Sequence, residues 1–256
     1  MTEKTILIID TSYGLTVGIA GHEPLYDPDS RSHVEHIQPL VSRAAEQAGI
    51  KAADITDVVA GIGPAPFTGL RAGVVAARAT AFALNAKLSG TDILSPQAVW
   101  AKKKCDRLEI PVRYVLSVND ARRRQLYFSL YDAEKMASEY EFEYVIRPDI
   151  DYPDSIAQRV CEKIEDKQNS SIAVVGHGVG KYEQALKKLP SIEFFEESSA
   201  VHESAEGLKL FADIAINRTE TCFRESAEPM YLRRPDVEKP GPVKSVLPLS
   251  AAEKKQ

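Results

Sequence analysis

The alternation of apolar and polar positions divides the chain into two successive α/β units. In the first, Ile6-Leu7-Ile8-Ile9 ends at Asp10, Thr11-Ser12-Tyr13-Gly14 makes a turn, and Leu15 to Ala20 is apolar again, which predicts a β-hairpin. Val34, Ile37, Leu40, Val41, Ala44, Ala45 and Ala48 recur at three and four residues, predicting a helix that contains Pro39 early and stops at Gly49. Ile55 to Gly63 reads as a buried strand, and Thr68 to Leu84 as a helix built largely of Ala, Gly and Val. Residues 86–105 read as a short strand, a turn and a helix. The second unit opens with a strand, turn and strand over residues 112–132. A helix is predicted over 154–168, a strand entering a turn over 170–178, and further helices over 181–189 and 204–217. No repeat of about 20–50 residues is present.

Composition changes this picture little. Of 256 residues, 44% are hydrophobic and 27% charged, enough apolar material for one large or two smaller cores. A net charge of −5 argues against tight nucleic-acid binding by the chain alone, because phosphate affinity comes from clustered Lys and Arg that displace counterions. Cys105, Cys161 and Cys222 lie far apart without a CxxC, so neither a disulfide framework nor a zinc site is indicated. The apolar run before Asp10 is only four residues long, so neither a signal peptide nor a membrane span is expected, and the expected location is cytoplasmic. The expected division is an N-terminal lobe over residues 1–110, a smaller C-terminal lobe over 111–218, an extension over 219–238, and a Pro- and Lys-rich disordered tail over 239–256.

Candidate chemistry is sparse. Asp10-Thr11-Ser12 at the end of a strand is a place where turn amides meet a phosphate and a carboxylate orients a hydrated cation; the plainer reading is a polar hairpin turn. The loop from Gly61 leads into a helix N-terminus, but Pro64 and Pro66 have no N–H to donate, so it makes a poor phosphate loop. Gly69, Gly73, Ala76, Ala77, Thr80, Ala81 and Ala83 give the following helix so little bulk that another helix can approach closely, either the chain's own core or a partner. His33 and His36 share a helical face but lack a third ligand, so no metal is expected, and no water-activating HExxH supports a metalloprotease. Gly176-His177-Gly178-Val179-Gly180 reads as a tight turn, with Lys181 where a dinucleotide fingerprint needs its last glycine. Arg122-Arg123-Arg124 forms a basic knot at a hairpin, and no GxSxG motif is present.

Taken in order, "ILIIDTSYGLTVGIA", "SRSHVEHIQPLV", "VVAGIGPAPFTGLRAGVVAARATAFAL", "VNDARRRQLYFSLYD", "VVGHGVGKY" and "PMYLRR" resemble the TsaB (YeaZ) family, non-catalytic relatives of the TsaD tRNA-modification proteins. The most specific stretch resembles the family pattern GPGSFTGLRIG, with Ala65 and Pro66 in place of Gly-Ser and Ala72 in place of Ile. The resemblance implies an α/β, actin/sugar-kinase/Hsp70-like fold of two lobes, each opening with a β-hairpin.

It also implies a non-enzymatic scaffold without a cofactor, in which Asp10, Thr11 and Ser12 are a vestigial nucleotide site. The first two helices would bind a TsaD-like catalytic subunit, and the residues expected at that contact are His33, His36, Ile37, Leu40, Gly69, Arg71, Gly73, Ala76, Ala77 and Thr80. A TsaE-like ATPase would join them. The complex would transfer a threonylcarbamoyl group from its adenylate to N6 of adenosine 37 in tRNAs reading codons that begin with A. Further implications are a homodimer when TsaD is absent, tRNA contact only through the complex, and no membrane. The HxxxH-type metal pair of the catalytic relatives is not matched by His33 and His36. An ATP-dependent small-molecule kinase of the same fold is the alternative, with Asp120 as its positional candidate for a catalytic carboxylate.

Overall fold

The computed structural model describes residues 4–29, 33–136, 142–164, 170–221 and 227–233, with the side chains of 33–34 and 219–221 excepted. The tail over 239–256 and half of the extension over 219–238, residues 222–226 and 234–238, lie outside the described residues.

The first unit runs β1 (Ile6–Asp10), β2 (Leu15–Ile19), β3 (Leu25–Asp27), α1 (His33–Gln47), β4 (Asp57–Gly61), α2 (Phe67–Leu84), β5 (Lys87–Thr91) and α3 (Leu94–Arg107). The second runs β6 (Tyr114–Asp120), β7 (Leu126–Asp132), β8 (Glu143–Asp151), α4 (Pro153–Lys163), β9 (Ile172–Val175), α5 (Glu183–Leu186), β10 (Ile192–Glu196), α6 (Ala200–Glu203) and α7 (Ala205–Thr221). Their sheets have orders β3-β2-β1-β4-β5 and β8-β7-β6-β9-β10. In each, the first strand pairs antiparallel with the second and parallel with the fourth, with register Leu7↔Ile19 and Leu7↔Val58 in one and Leu116↔Leu130 and Leu116↔Val174 in the other. The two units therefore share one topology, and each opens with a hairpin. This is the two-lobed α/β architecture expected.

The two-residue period of a strand decides where each helix docks. Leu7, Ile9, Val58 and Ala60 face one way and pack with Ile37, Leu40 and Val41 of α1 and with Leu70, Val74 and Ala77 of α2. Ile6, Ile8 and Val59 face the other way, onto Leu208, Phe211, Ala212 and Ala215 of α7. In the second sheet Leu116 and Val118 pack on Ile156 and Val160 of α4, whereas Val115, Ala173 and Val175 pack on Ala98, Ala101 and Cys105 of α3. The last helix of each unit thus covers the sheet of the other, which ties the lobes together by crossed chain segments. Trp100 of α3 and Leu210 and Ile214 of α7 close the seam, and Trp100 Nε1 donates to Glu203 at 3.0 Å.

The start of α3 is fixed by a buried carboxylate. Asp92 accepts from the backbone N–H groups of Leu94 and Ser95 at 2.9 and 2.7 Å and from Ser95 Oγ at 2.7 Å, satisfying donors that a helix N-terminus leaves unpaired. Among the described residues no helix is long and apolar enough to cross a membrane.

Candidate functional site

Two surfaces meet at the N-terminal end of α2. One is the cleft between the lobes, and the other is a groove between α1 and α2.

The cleft begins where β1 ends. Asp10 is buried, receives hydrogen bonds from Ser12 Oγ at 2.7 Å and Ser12 N at 3.3 Å, and lies against Gly61, where an added Cβ would stand 2.7 Å from Asp10 Cγ. Burial pushes its carboxyl up to about 6, against the pull of those hydrogen bonds. Thr11 Oγ1 donates to Gly69 O at 2.8 Å and fills the space beside Gly73. The triad singled out at this turn is therefore engaged internally. Beyond it opens a cavity of 450 Å³ lined by Ser12, Tyr13, Tyr26, Thr68, Asp120 and Arg122, among others.

Aromatic rings bridge the lobes beside this cavity. Tyr13 stacks on His177 at 3.6 Å between centroids, His177 lies 5.0 Å from His202, and His202 stacks on Tyr26 at 4.3 Å. Tyr13 and Tyr26 belong to the first lobe, His177 to the loop after β9 and His202 to α6. Burial, with the neighbouring His202 adding to it, drives His177 down to about 3, so this ring is neutral at ordinary pH.

The hairpin between β6 and β7 reaches the cleft mouth. Arg122, Arg123 and Arg124 have φ of 60°, 51° and 64°. Three successive left-handed residues with long side chains cost about 1 kcal/mol or more each, so the surroundings must hold them. Asp120 Oδ1 accepts from Arg122 N at 3.0 Å, Ala121 N donates to Gln125 O and Gln125 N to Arg122 O, each at 3.0 Å, and Arg233 Nη1 donates to Ala121 O at 2.9 Å. Asp120, the kinase candidate, also binds Lys181 Nζ at 2.7 Å.

The groove has another character. Its 590 Å³ are lined by Ile37 and Gln38 of α1 and by Phe67, Thr68, Arg71, Ala72, Val75, Ala76 and Ala79 of α2. Val75 is 56% exposed and Phe82, seven residues further along the same helix, 90% exposed. Neither was singled out from the sequence, although their i, i+7 spacing opposite the buried Leu70, Val74, Ala77 and Ala81 was a usable signal.

The residues expected to contact a partner divide in two. Ile37, Leu40, Gly73, Ala77 and Thr80 are buried within their own chain: the first two and Ala77 in the sheet-facing core, Gly73 against Thr11. His36 and Arg71 are exposed, and Gly69 and Ala76 are half-buried. His36 Nδ1 lies 2.6 Å from Asp27 Oδ2. His33 begins α1, but its side chain lies outside the described residues. No group of three or more His, Cys, Asp or Glu suited to a metal ion occurs among the described residues.

Two hairpin-led lobes with exchanged terminal helices, joined at a cleft, define an actin-like two-lobed protein. A family model described as TsaD: tRNA N6-adenosine threonylcarbamoyltransferase matches residues 28–247. The TsaB protein of tRNA threonylcarbamoyladenosine biosynthesis from Haemophilus influenzae is 25% identical over 243 residues, covering 91% of this chain and 95% of its own. An uncharacterized Mycobacterium tuberculosis protein is 37% identical over 135 residues, 50% of this chain, and the match spans only 59% of that protein's length. A crystal structure from Pseudomonas aeruginosa, described as an uncharacterized protein with similarity to peptidase YeaZ, superposes with a TM-score of 0.66 at 22% identity, covering 90% of this chain and all of the other. The chain belongs to the TsaD family, and the relatives it resembles over most of its length are TsaB proteins.

Proposed function

We propose that the chain is a non-catalytic subunit for threonylcarbamoylation of adenosine 37 in tRNA, which docks a TsaD-like catalytic subunit through the α1–α2 groove. The observation that carries the reading is the apolar face of α2: Val75 and Phe82 stand exposed beside a 590 Å³ groove, and such surface is normally covered in a soluble protein. Arg71 and Ala76 line the same groove. A TsaE-like ATPase completes the assembly. A symmetric dimer through this face is the free chain's alternative state, and the assembly works in the cytoplasm without a membrane.

The cleft supports a scaffold over the kinase alternative. Asp10 turns its buried carboxylate toward Ser12 and Gly61 instead of the cavity, Pro64 and Pro66 offer no amides, and Asp120 is occupied by Lys181 and by the backbone of Arg122. These residues do not make the cradle that a metal-bound nucleotide needs. The test is genetic. Deleting the gene should abolish threonylcarbamoyladenosine in bulk tRNA measured by nucleoside mass spectrometry, and an Asp10→Asn copy should restore it. Unaltered modification in the deletion strain would refute the assignment.

A further inference from the structure

A strip of guanidinium groups around an exposed ring, Tyr231, runs along the cleft mouth and meets the docking groove at Phe67, Arg71 and Val75. It starts at the exposed turn Arg122-Arg123-Arg124. Arg233 joins it by binding Ala121 O and the Gln125 side chain, which places the segment 227–233 against the turn. Two residues earlier, Tyr231 is 45% exposed and packs on Phe67 with ring centroids 5.0 Å apart. Arg71 stands 6.0 Å over the same Phe67 ring, and Arg78 holds Ala227 O at 2.9 Å, so Arg71, Arg78 and Tyr231 share the walls of one 410 Å³ cavity. Met230 N donates to Ile62 O at 2.7 Å and pins the segment to the first lobe. Asp120, paired with Lys181, and the exposed Glu228 are acidic side chains along the strip among the described residues.

We infer that this strip binds a single-stranded stretch of RNA, its arginines on phosphates and Tyr231 under a base. In a chain of net charge −5, three consecutive arginines held in the left-handed region form a local reversal of charge, braced at Asp120, Ala121 and Gln125. Strained backbone that its surroundings over-determine clusters at working surfaces. Guanidinium groups around the exposed ring of Tyr231 match a flexible polynucleotide, which offers phosphates and ring faces in alternation. An acidic protein surface would engage the charges and leave Tyr231 unused. The inference rests on the proposed role in tRNA modification and adds a direct RNA contact from this subunit. That contact is weak in the isolated chain and is completed in the assembly.

The test uses the full chain, alone and with its TsaD-like subunit, and a fluorescently labelled unstructured RNA of about 15 nucleotides, within the usual span of such sites. Replacing Arg122, Arg123 and Arg124 together by Asn removes the charge with a residue that tolerates the left-handed region. The slope of log K against log salt should flatten by about 2, from three contacts at about 0.7 each. Lysine at the three positions should keep most of the slope. Tyr231→Ala should weaken binding about 5- to 150-fold at fixed salt. RNA binding with an unchanged slope in the Asn variant overturns the inference. So does loss of the TsaD-like subunit with RNA binding intact, which would assign the turn to an acidic protein partner. If the wild-type chain shows the RNA contact yet never binds a TsaD-like subunit, the inference stands and the docking reading falls.

Discussion

Replacing Gly73 by alanine should destabilise the fold, although alanine is the better helix former. A Cβ at this position would stand 2.8 Å from Thr11 Cγ2 and 3.0 Å from Thr11 Cβ, and would overlap Thr11 Oγ1, the atom that donates to Gly69 O. Overpacking costs about 1–3 kcal/mol, and displacing the buried hydroxyl forfeits about 1 kcal/mol of hydrogen bonding. The helix gains back about 1 kcal/mol from losing a glycine. The net loss is about 1–3 kcal/mol, and at about 2–4 °C per kcal/mol for a chain of this size Tm should fall by about 2–12 °C. Scanning calorimetry of Gly73→Ala, Thr11→Ala and the double variant checks this. The double variant should recover part of the sum of the single losses, because removing Thr11 Oγ1 and Cγ2 relieves the closest overlaps. Ala76→Leu, three residues away on the groove side, should change Tm by less than about 2 °C. A Gly73→Ala protein as stable as wild type would refute the close approach of α2 to the end of β1.

Two further outcomes follow from buried carboxylates and from His177. Asp92→Ala strips the α3 N-terminus of its acceptor and should cost about 2 kcal/mol, read as a lower denaturation midpoint at unchanged slope. The pH dependence has two opposed parts. His177 stays neutral in the fold down to about 3 but is protonated below about 6.5 when unfolded, so its contribution to stability rises with pH across that window. Asp10 stays protonated in the fold up to about 6 but ionises above about 3.8 when unfolded, so its contribution falls with pH between those values. Asp10→Asn should therefore make stability climb more steeply between about pH 4 and 6 than in wild type; an unchanged or flatter profile in urea titrations would contradict the burial of Asp10.

The inner strands and long helices were legible in the sequence because their signals are local. The apolar runs of β1, β4, β6 and β9 are buried on both faces, and α1 shows Ile37, Leu40, Val41 and Ala44 at helical spacing. The strands β3, β8 and β10 were missed because all three lie at sheet edges, where one face meets solvent and the pattern is mixed. The exchange of α3 and α7 between sheets left no local trace, since it depends on which face of a distant strand each helix covers. The stack of Tyr13, His177, His202 and Tyr26 draws on four separated segments and was likewise invisible. On α2 the sequence reported small residues correctly but not their purpose. Gly73 is small because Thr11 is there, and the outward face is marked by the larger Val75 and Phe82.

The central claim is that the outward face of α2 docks a TsaD-like subunit. Isothermal titration of that subunit from the same organism with wild-type, Val75→Glu and Phe82→Glu chains tests it most directly. A carboxylate driven into a desolvated apolar contact should weaken binding by at least about tenfold, or about 1.4 kcal/mol, while Tm of the free chains stays within about 2 °C of wild type because both side chains are exposed. Equal affinity for all three chains, or no binding by wild type, would contradict the account.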